Sequence, residues 1–396
     1  MQVPNKMARR EFVRNVALAG APIHIVGTRA LAVPQNPPPA RIVRQREPEN
    51  LEYPFSTLDS FITPTDRFYV RSHFAVPEIE LKTWRLRVEG AVSRPLDLTL
   101  DQLRQLPERK LPVTLECAGN GRVYLTPAAR GVQWETGAVG TAEWTGVSLA
   151  SVLELARVRP EAVEVILEGA DSGEIREPPR PVGAIRFARS LPLQKARHPD
   201  TLLAYQMNDA ELLPAHGFPL RAVVPGWYGM ASIKWLSRII VSEQPFQGYY
   251  QTIDYAIWET KEPAPDGTTD PLPRRTPITE MQVKATIARP VQKEMLPANK
   301  SYRVFGAAWA GEAEVTRVEV SADGGKTWAV ANLAGKPARY CWRLWEIGWQ
   351  TPEQPGRYTL VARATDSKGR VQPARRNANR ENYMINHLIP VEVEVR

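Results

Sequence analysis

Apolar and polar residues alternate over short runs along most of the chain, and the texture of the alternation changes near residue 280. Between residues 51 and 260, the runs "WRLRVEG", "AVEVILEG", "LRAVVPG" and "SRIIVSE" read as strands. Two stretches switch to a helical period. In "LTLDQLRQLP", Thr99 and Gln102 stand at capping-box spacing and Leu103 and Leu106 fall three apart, which predicts a short helix. In "SLASVLELA", Leu149, Val152, Leu153 and Ala156 share one helical face. Strands and helices do not alternate strictly, so residues 51–260 are expected to form an α+β domain.

Residues 33–50 are rich in proline and arginine and predict an extended arm. The segment "KEPAPDGTTDPLPRRTPITEM", residues 261–281, has the composition of a linker. Beyond it come "YRVFGAAWAG", "EVTRVEVSADGGKTWAVANL", "RYCWRLWEIGW", "GRYTLVARATDSKGRVQP" and "IPVEVEV". Short alternating strands punctuated by turn residues predict an all-β immunoglobulin-like sandwich over 282–396, with a hairpin turn at Asp323-Gly324-Gly325.

Composition narrows the class. The net charge of +8 is shared between the N-terminus and the rest: Lys6, Arg9, Arg10, Arg14 and Arg29 oppose only Glu11 in residues 1–32. The remaining 46 basic and 42 acidic residues leave a mildly basic body (51 − 5 and 43 − 1). With no basic run interleaved with aromatics, this argues for a local cationic pocket and against nucleic acid. Paired Arg9-Arg10, the apolar "VALAGAPIHIVG" and the small residues of "ALA" at 30–32 resemble a twin-arginine export signal, implying a periplasmic protein. No run is long and apolar enough for a stable membrane span. The two cysteines, Cys117 and Cys341, are expected to stay reduced. The five histidines include no closely spaced pair, and HExxH, paired CxxC, GxGxxG and GxxxxGK[ST] are missing.

One candidate for metal chemistry is left. In "VTLECAGNGR", Cys117 precedes a small-residue turn and Arg122 follows five positions on. These ten residues alone fit either a buried strand cysteine or a soft thiolate ligand of the kind that suits copper or molybdenum. Taken with "FYVRSHF", "GVQW", "TGAVGTAEWTGVSL", "LLAYQMND", "HGFPLRAVVPGWYGMASIKWLSRI", "IDY" and "RVEVSADGGKTW", all in order, the chain resembles the sulfite oxidase family of molybdopterin enzymes from about residue 51 onward.

The resemblance implies that Cys117 supplies the single protein thiolate to molybdenum in a molybdopterin cofactor. It implies an anion pocket lined by Arg71 and Arg122, with Arg130 and Trp134 at its wall, and Tyr255 facing the substrate with Asp254 as partner. A further arginine is implied from the C-terminal domain, with Arg380 the best match and Arg375 and Arg376 as competitors. His73, His216, Arg221, Ser232 and Lys234 fall in segments that would bind the pterin. The expected activity is oxidation of sulfite to sulfate, with electrons passed to an external acceptor such as a cytochrome, by a homodimer joined through residues 282–396. A sulfane dehydrogenase subunit, a nitrate reductase-like enzyme and an inactive scaffold are the alternatives.

Overall fold

The computed structural model describes residues 41–259 and 274–396, and strands dominate both stretches. The export-signal segment therefore lies outside the described residues, as do 33–40 of the expected arm and 261–273 of the expected linker. Among the described residues, no helix is long and apolar enough to cross a membrane.

Two five-stranded sheets build the first half. One runs in the order Leu96–Leu98, Leu86–Gly90, Leu236–Ser242, Glu164–Glu174, Ala184–Pro192, with a single parallel pair between the second and third strands. The other runs Ala210–Glu211, Leu202–Met207, Val139–Ser148, Glu108–Glu116, and Arg221–Val223 also pairs with Leu202–Met207. The helix Leu100–Arg104 carries the complete capping box expected from Thr99 and Gln102. The helix Leu149–Ala156 buries the expected face of Leu149, Val152, Leu153 and Ala156. Helices are few and short, so the domain is mostly β.

A sandwich forms the second half. Lys284–Arg289, Ser301–Trp309, Arg343–Gln350 and Asn332–Leu333 make one sheet. The other runs in the order Glu294–Leu296, Val391–Val395, Gly356–Asp366, Val315–Ser321, Ala329–Val330. The Asp323 turn closes the hairpin as expected: Gly324 and Gly325 adopt φ of 73° and 96°, and Val320 pairs with Ala329.

Two expectations need correction. The last residues of the expected linker are ordered: Arg274–Pro277 pairs antiparallel with Ala256–Glu259, and Ile278 and Met281 are fully buried. Residues 42–45 of the expected arm form a strand against Asn50–Glu52. The halves also share one apolar core. Ala118, Val139 and Tyr255 from the first cluster with Trp309, Trp342 and Tyr383 from the second.

Candidate active site

The strand Glu108–Glu116 pairs along its whole length with Val139–Ser148 and ends immediately before Cys117. The Cys117 amide donates to Ala138 O at 2.9 Å, and the Asn120 amide donates back to Cys117 O at 2.9 Å, closing the turn. Cys117 is buried, yet it lines both an inner cavity of about 50 Å³ and an outer cleft of about 350 Å³. Burial raises its thiol pKa above the ordinary value, and Arg71 and Arg122 offset only part of that rise.

Arg122 is clamped. Its Nη1 donates to Val132 O at 2.7 Å and its Nε to Asn382 O at 3.2 Å, and its guanidinium lies 5.4 Å from the Tyr383 ring centroid. Gly119 and Gly131 make room for it. A Cβ on Gly119 would sit 2.5 Å from Arg122 Cζ, and one on Gly131, itself at φ 98°, would sit 2.8 Å from Nη1. The free edge of the guanidinium faces the outer cleft shared with Arg71 and Cys117.

Arg71 ends the short strand Val70–Arg71, where Asn50 Oδ1 accepts from its Nη1 at 3.3 Å and from the Ser72 amide at 3.0 Å. Opposite stands Tyr255, held at φ 51° and buried, with its hydroxyl 2.6 Å from His73 Nε2. Burial raises the phenol pKa, partly offset by Arg71, so Tyr255 stays protonated. Burial, with Arg71 and Lys234, holds His73 far below the ordinary imidazole value, so its ring is neutral. Asp254 accepts from the Tyr255 amide at 3.1 Å and from the Tyr383 hydroxyl. It thus orients the backbone of Tyr255 and does not bond its phenol.

The inner cavity is the cationic end. Arg71, Arg221 and Lys234 line it beside the imidazoles of His73 and His216, against one carboxylate, Asp171. Arg221 donates only to carbonyls, His216 O at 2.9 Å and Ser232 O at 3.2 Å, and lies 4.7 Å from the Trp144 ring centroid. Lys234 Nζ has Ser72 Oγ at 3.0 Å and Ala215 O at 2.9 Å. Burial pushes Arg221 down to about 10 and Lys234 well below its ordinary value. It pushes Asp171 up to about 6, with Lys234 opposing. Buried cations served only by neutral oxygens are costly unless an anion joins them. The residues present therefore fit a phosphate-bearing pterin in the inner cavity and a soft metal at Cys117, where the two cavities meet.

His216 gives a test of this burial. Its Nε2 donates to Thr65 O at 3.2 Å, and burial, then Arg221 and Lys234, depress the ring to about 3. The unfolded chain takes up this proton near pH 6.5 and the folded chain only near 3, so acid favours unfolding across that window. Cofactor-free protein is expected to lose up to ~1.4 kcal/mol of stability per pH unit between those values from this group. Urea titrations of the wild type and His216→Gln check it; identical acid limbs would show that His216 is not the source.

Three expected residues are placed differently. Trp134 does not line the cleft. It is fully buried behind the Cys117 loop, in the cluster with Phe68, Leu115 and Cys117, where an indole fills volume that polar groups could not. Arg130 reaches only the rim of the outer cleft, with its side chain 84% exposed and paired to Glu177 at 3.4 Å. Arg380 turns away from the cleft and donates to Asn386 Oδ1 at 2.8 Å and Gln282 Oε1 at 3.2 Å. The next residues, Glu381, Asn382 and Tyr383, line the cleft instead, joined by Arg275 from the expected linker. Tyr383, Arg275 and Asp171 escaped the sequence reading. Ser232 stays in the cavity wall, where its Oγ accepts from the Val224 amide at 3.1 Å.

Known proteins are similar to this chain in sequence and fold. The model of the oxidoreductase molybdopterin binding domain matches residues 73–250, and that of the Mo-co oxidoreductase dimerisation domain matches residues 275–395. Mitochondrial sulfite oxidase of Homo sapiens is 36% identical over 348 residues, 85% of this chain and 62% of that protein. This chain thus spans less than two thirds of the human protein's length. Sulfite oxidase of Gallus gallus is 37% identical over 351 residues, 85% of this chain and 73% of that protein. NADH nitrate reductase 1 of Oryza sativa subsp. japonica is 34% identical over 393 residues, 93% of this chain and 42% of that protein. The crystal structure of the sulfane dehydrogenase SoxCD from Paracoccus pantotrophus matches with a TM-score of 0.73 at 27% identity, covering 87% of this chain and 84% of that one. The chain belongs to the sulfite oxidase family of molybdopterin-binding oxidoreductases and carries the family's dimerisation domain.

Proposed function

We propose that the protein oxidises sulfite to sulfate and passes the electrons to a separate acceptor such as a cytochrome. The observation that carries this reading is the meeting of Arg71, Arg122 and Cys117 on one cleft, two fixed cations beside the thiolate that would ligate molybdenum. When bound, the molybdenum group supplies oxygen-atom transfer and takes up the two electrons.

The chain's own residues bind, orient and shield. Arg71 and Arg122 would hold an oxyanion through guanidinium forks, and because both are anchored, little entropy is lost on binding. Tyr255 presents its hydroxyl at the junction of the cavities, bonded to a neutral His73 whose tautomer decides whether the phenol donates toward the ring or toward the cleft. Cys117 would hold the metal, and Arg221, Lys234, Ser232 and His216 the pterin tail.

A second reading has its own observation. The outer cleft, about 350 Å³, is roomier than a sulfite ion needs. A larger sulfur-bearing substrate would fit it, in line with the similarity to SoxCD. A nitrate reductase-like activity rests on the similarity to the Oryza protein. The dimerisation domain supports a homodimer, and the twin-arginine pattern of residues 1–32 supports a periplasmic location.

Purified holoprotein is expected to contain molybdenum stoichiometric with the chain and to reduce ferricyanide or a cytochrome with sulfite. Stoichiometric metal with inert sulfite, and turnover of nitrate or of a protein-bound sulfane, would move the assignment to those substrates.

A further inference from the structure

A buried ion pair joins the sandwich to the residue before Cys117. Lys284 Nζ lies 3.0 Å from Glu116 Oε1, with the two side chains 1% and 2% exposed. Trp309 Nε1 donates to the other oxygen, Oε2, at 2.8 Å. Lys284 and Trp309 are cross-strand partners in register on Lys284–Arg289 and Ser301–Trp309, so the sandwich presents the two donors as a fork. Glu116 Oε1 also accepts from Asn120 Nδ2 at 3.1 Å, and Lys284 Nζ donates to Asn120 O at 3.3 Å. The remaining Asn120 oxygen, Oδ1, accepts from the Ala138 amide at 3.1 Å.

Apolar contacts already seal the boundary between the halves, and a buried ion pair is a poor way to add stability, because desolvation consumes most of the attraction. What such a pair does fix is geometry. Every bond of this network ends on Glu116, Asn120 or Ala138, the three residues that bracket the Cys117 turn.

We propose that Lys284 and Trp309 are positioning residues that hold Glu116 and, through it, Asn120, and so aim the Cys117 thiol into the cleft. The sandwich is then part of the metal-ligand loop as well as a dimerisation module. This rests on the reading of Cys117 as the molybdenum ligand.

The test uses the full chain in a Cys341→Ser background, so that a single thiol reports. Glu116→Gln/Lys284→Met removes both charges while keeping their volumes. The control, Lys195→Met/Glu312→Gln, cuts another ion pair across the same boundary, at 2.6 Å and away from Cys117. Three quantities are read: the rate of Cys117 with Ellman's reagent in cofactor-free protein, molybdenum per chain after cofactor loading, and the thermal midpoint. In the test variant the thiol rate is expected to rise about tenfold and the metal content to fall several-fold, while the midpoint stays within about 5 °C. The control is expected to leave rate and metal content unchanged.

Wild-type rate and metal content in the test variant would overturn the proposal, as would an equal effect in the control. If the double variant does not fold, Trp309→Phe, which removes one neutral donor, must raise the thiol rate by itself, and an unchanged rate overturns the proposal. Failure of the ligand reading is separable: Cys117→Ser would then keep its molybdenum, while the thiol rates would still report on the turn.

Discussion

Cys117→Ser is expected to yield a folded protein that neither retains molybdenum nor turns over sulfite. The backbone bonds that define the turn, to Ala138 O and from the Asn120 amide, do not involve the side chain. A hydroxyl in place of the thiol therefore costs at most ~1–3 kcal/mol, well within the margin of a domain this size. The metal is lost for a different reason. A serine hydroxyl is not deprotonated near neutral pH, and its hard oxygen is a poor substitute for a soft thiolate. Elemental analysis of the variant, beside its thermal midpoint and ferricyanide reduction, checks both halves. Molybdenum at the wild-type level would falsify the assignment of the ligand, whatever happened to turnover.

The second large effect is expected from a methyl group. Gly119→Ala places a carbon 2.5 Å from Arg122 Cζ, closer than any real contact, and the guanidinium has nowhere to yield without giving up its bonds to Val132 O and Asn382 O. If Arg122 holds the substrate anion as proposed, its displacement weakens that grip. Charge-assisted bonds are worth ~1.5–3 kcal/mol each, so the KM for sulfite should rise about 10- to 100-fold. Because Gly119 does not hold the metal, molybdenum content should stay near normal and kcat should change less than KM. Gly131→Ala presses the same guanidinium from the other side and should give the same split. Steady-state kinetics normalised to molybdenum decide the matter: an unchanged KM in both variants would remove Arg122 from anion binding.

Much of the site could be read from local text, because the residues that converge sit on short motifs at element ends. Arg71 closes a strand, Cys117 follows one, and Tyr255 follows the helix Tyr249–Thr252, so each motif fixes the place of its own side chain. Trp134 shows the limit. An indole suits a pocket wall and a core equally, and only the packing of Phe68 and Leu115 around it decides for the core. Arg380 shows another: the 3-10 turn Ala378–Arg380 points it at Asn386, and the chain then bends at Glu381, φ 49°, to deliver Tyr383 to the cleft. A shift of three positions among similar polar residues carries no signal in composition. The strand Arg274–Pro277 was hidden by Pro277 and the proline-rich stretch before it, since its pairing with Ala256–Glu259 depends on a partner and not on its own propensity. The pair Glu116–Lys284 is beyond any local reading, its members standing 168 positions apart.

That separation also imposes an order in time. Translation makes Glu116 168 residues before the lysine that neutralises it. At ~5–20 residues per second, the carboxylate waits roughly 8 to 34 seconds for its partner. During that interval Cys117, Arg122 and the small-residue turn exist as a nascent segment without Lys284, Trp309 or Tyr383. The loop is completed only once Lys284, Trp309 and Tyr383 have been made, so a cofactor that needs the finished loop has to wait for all three.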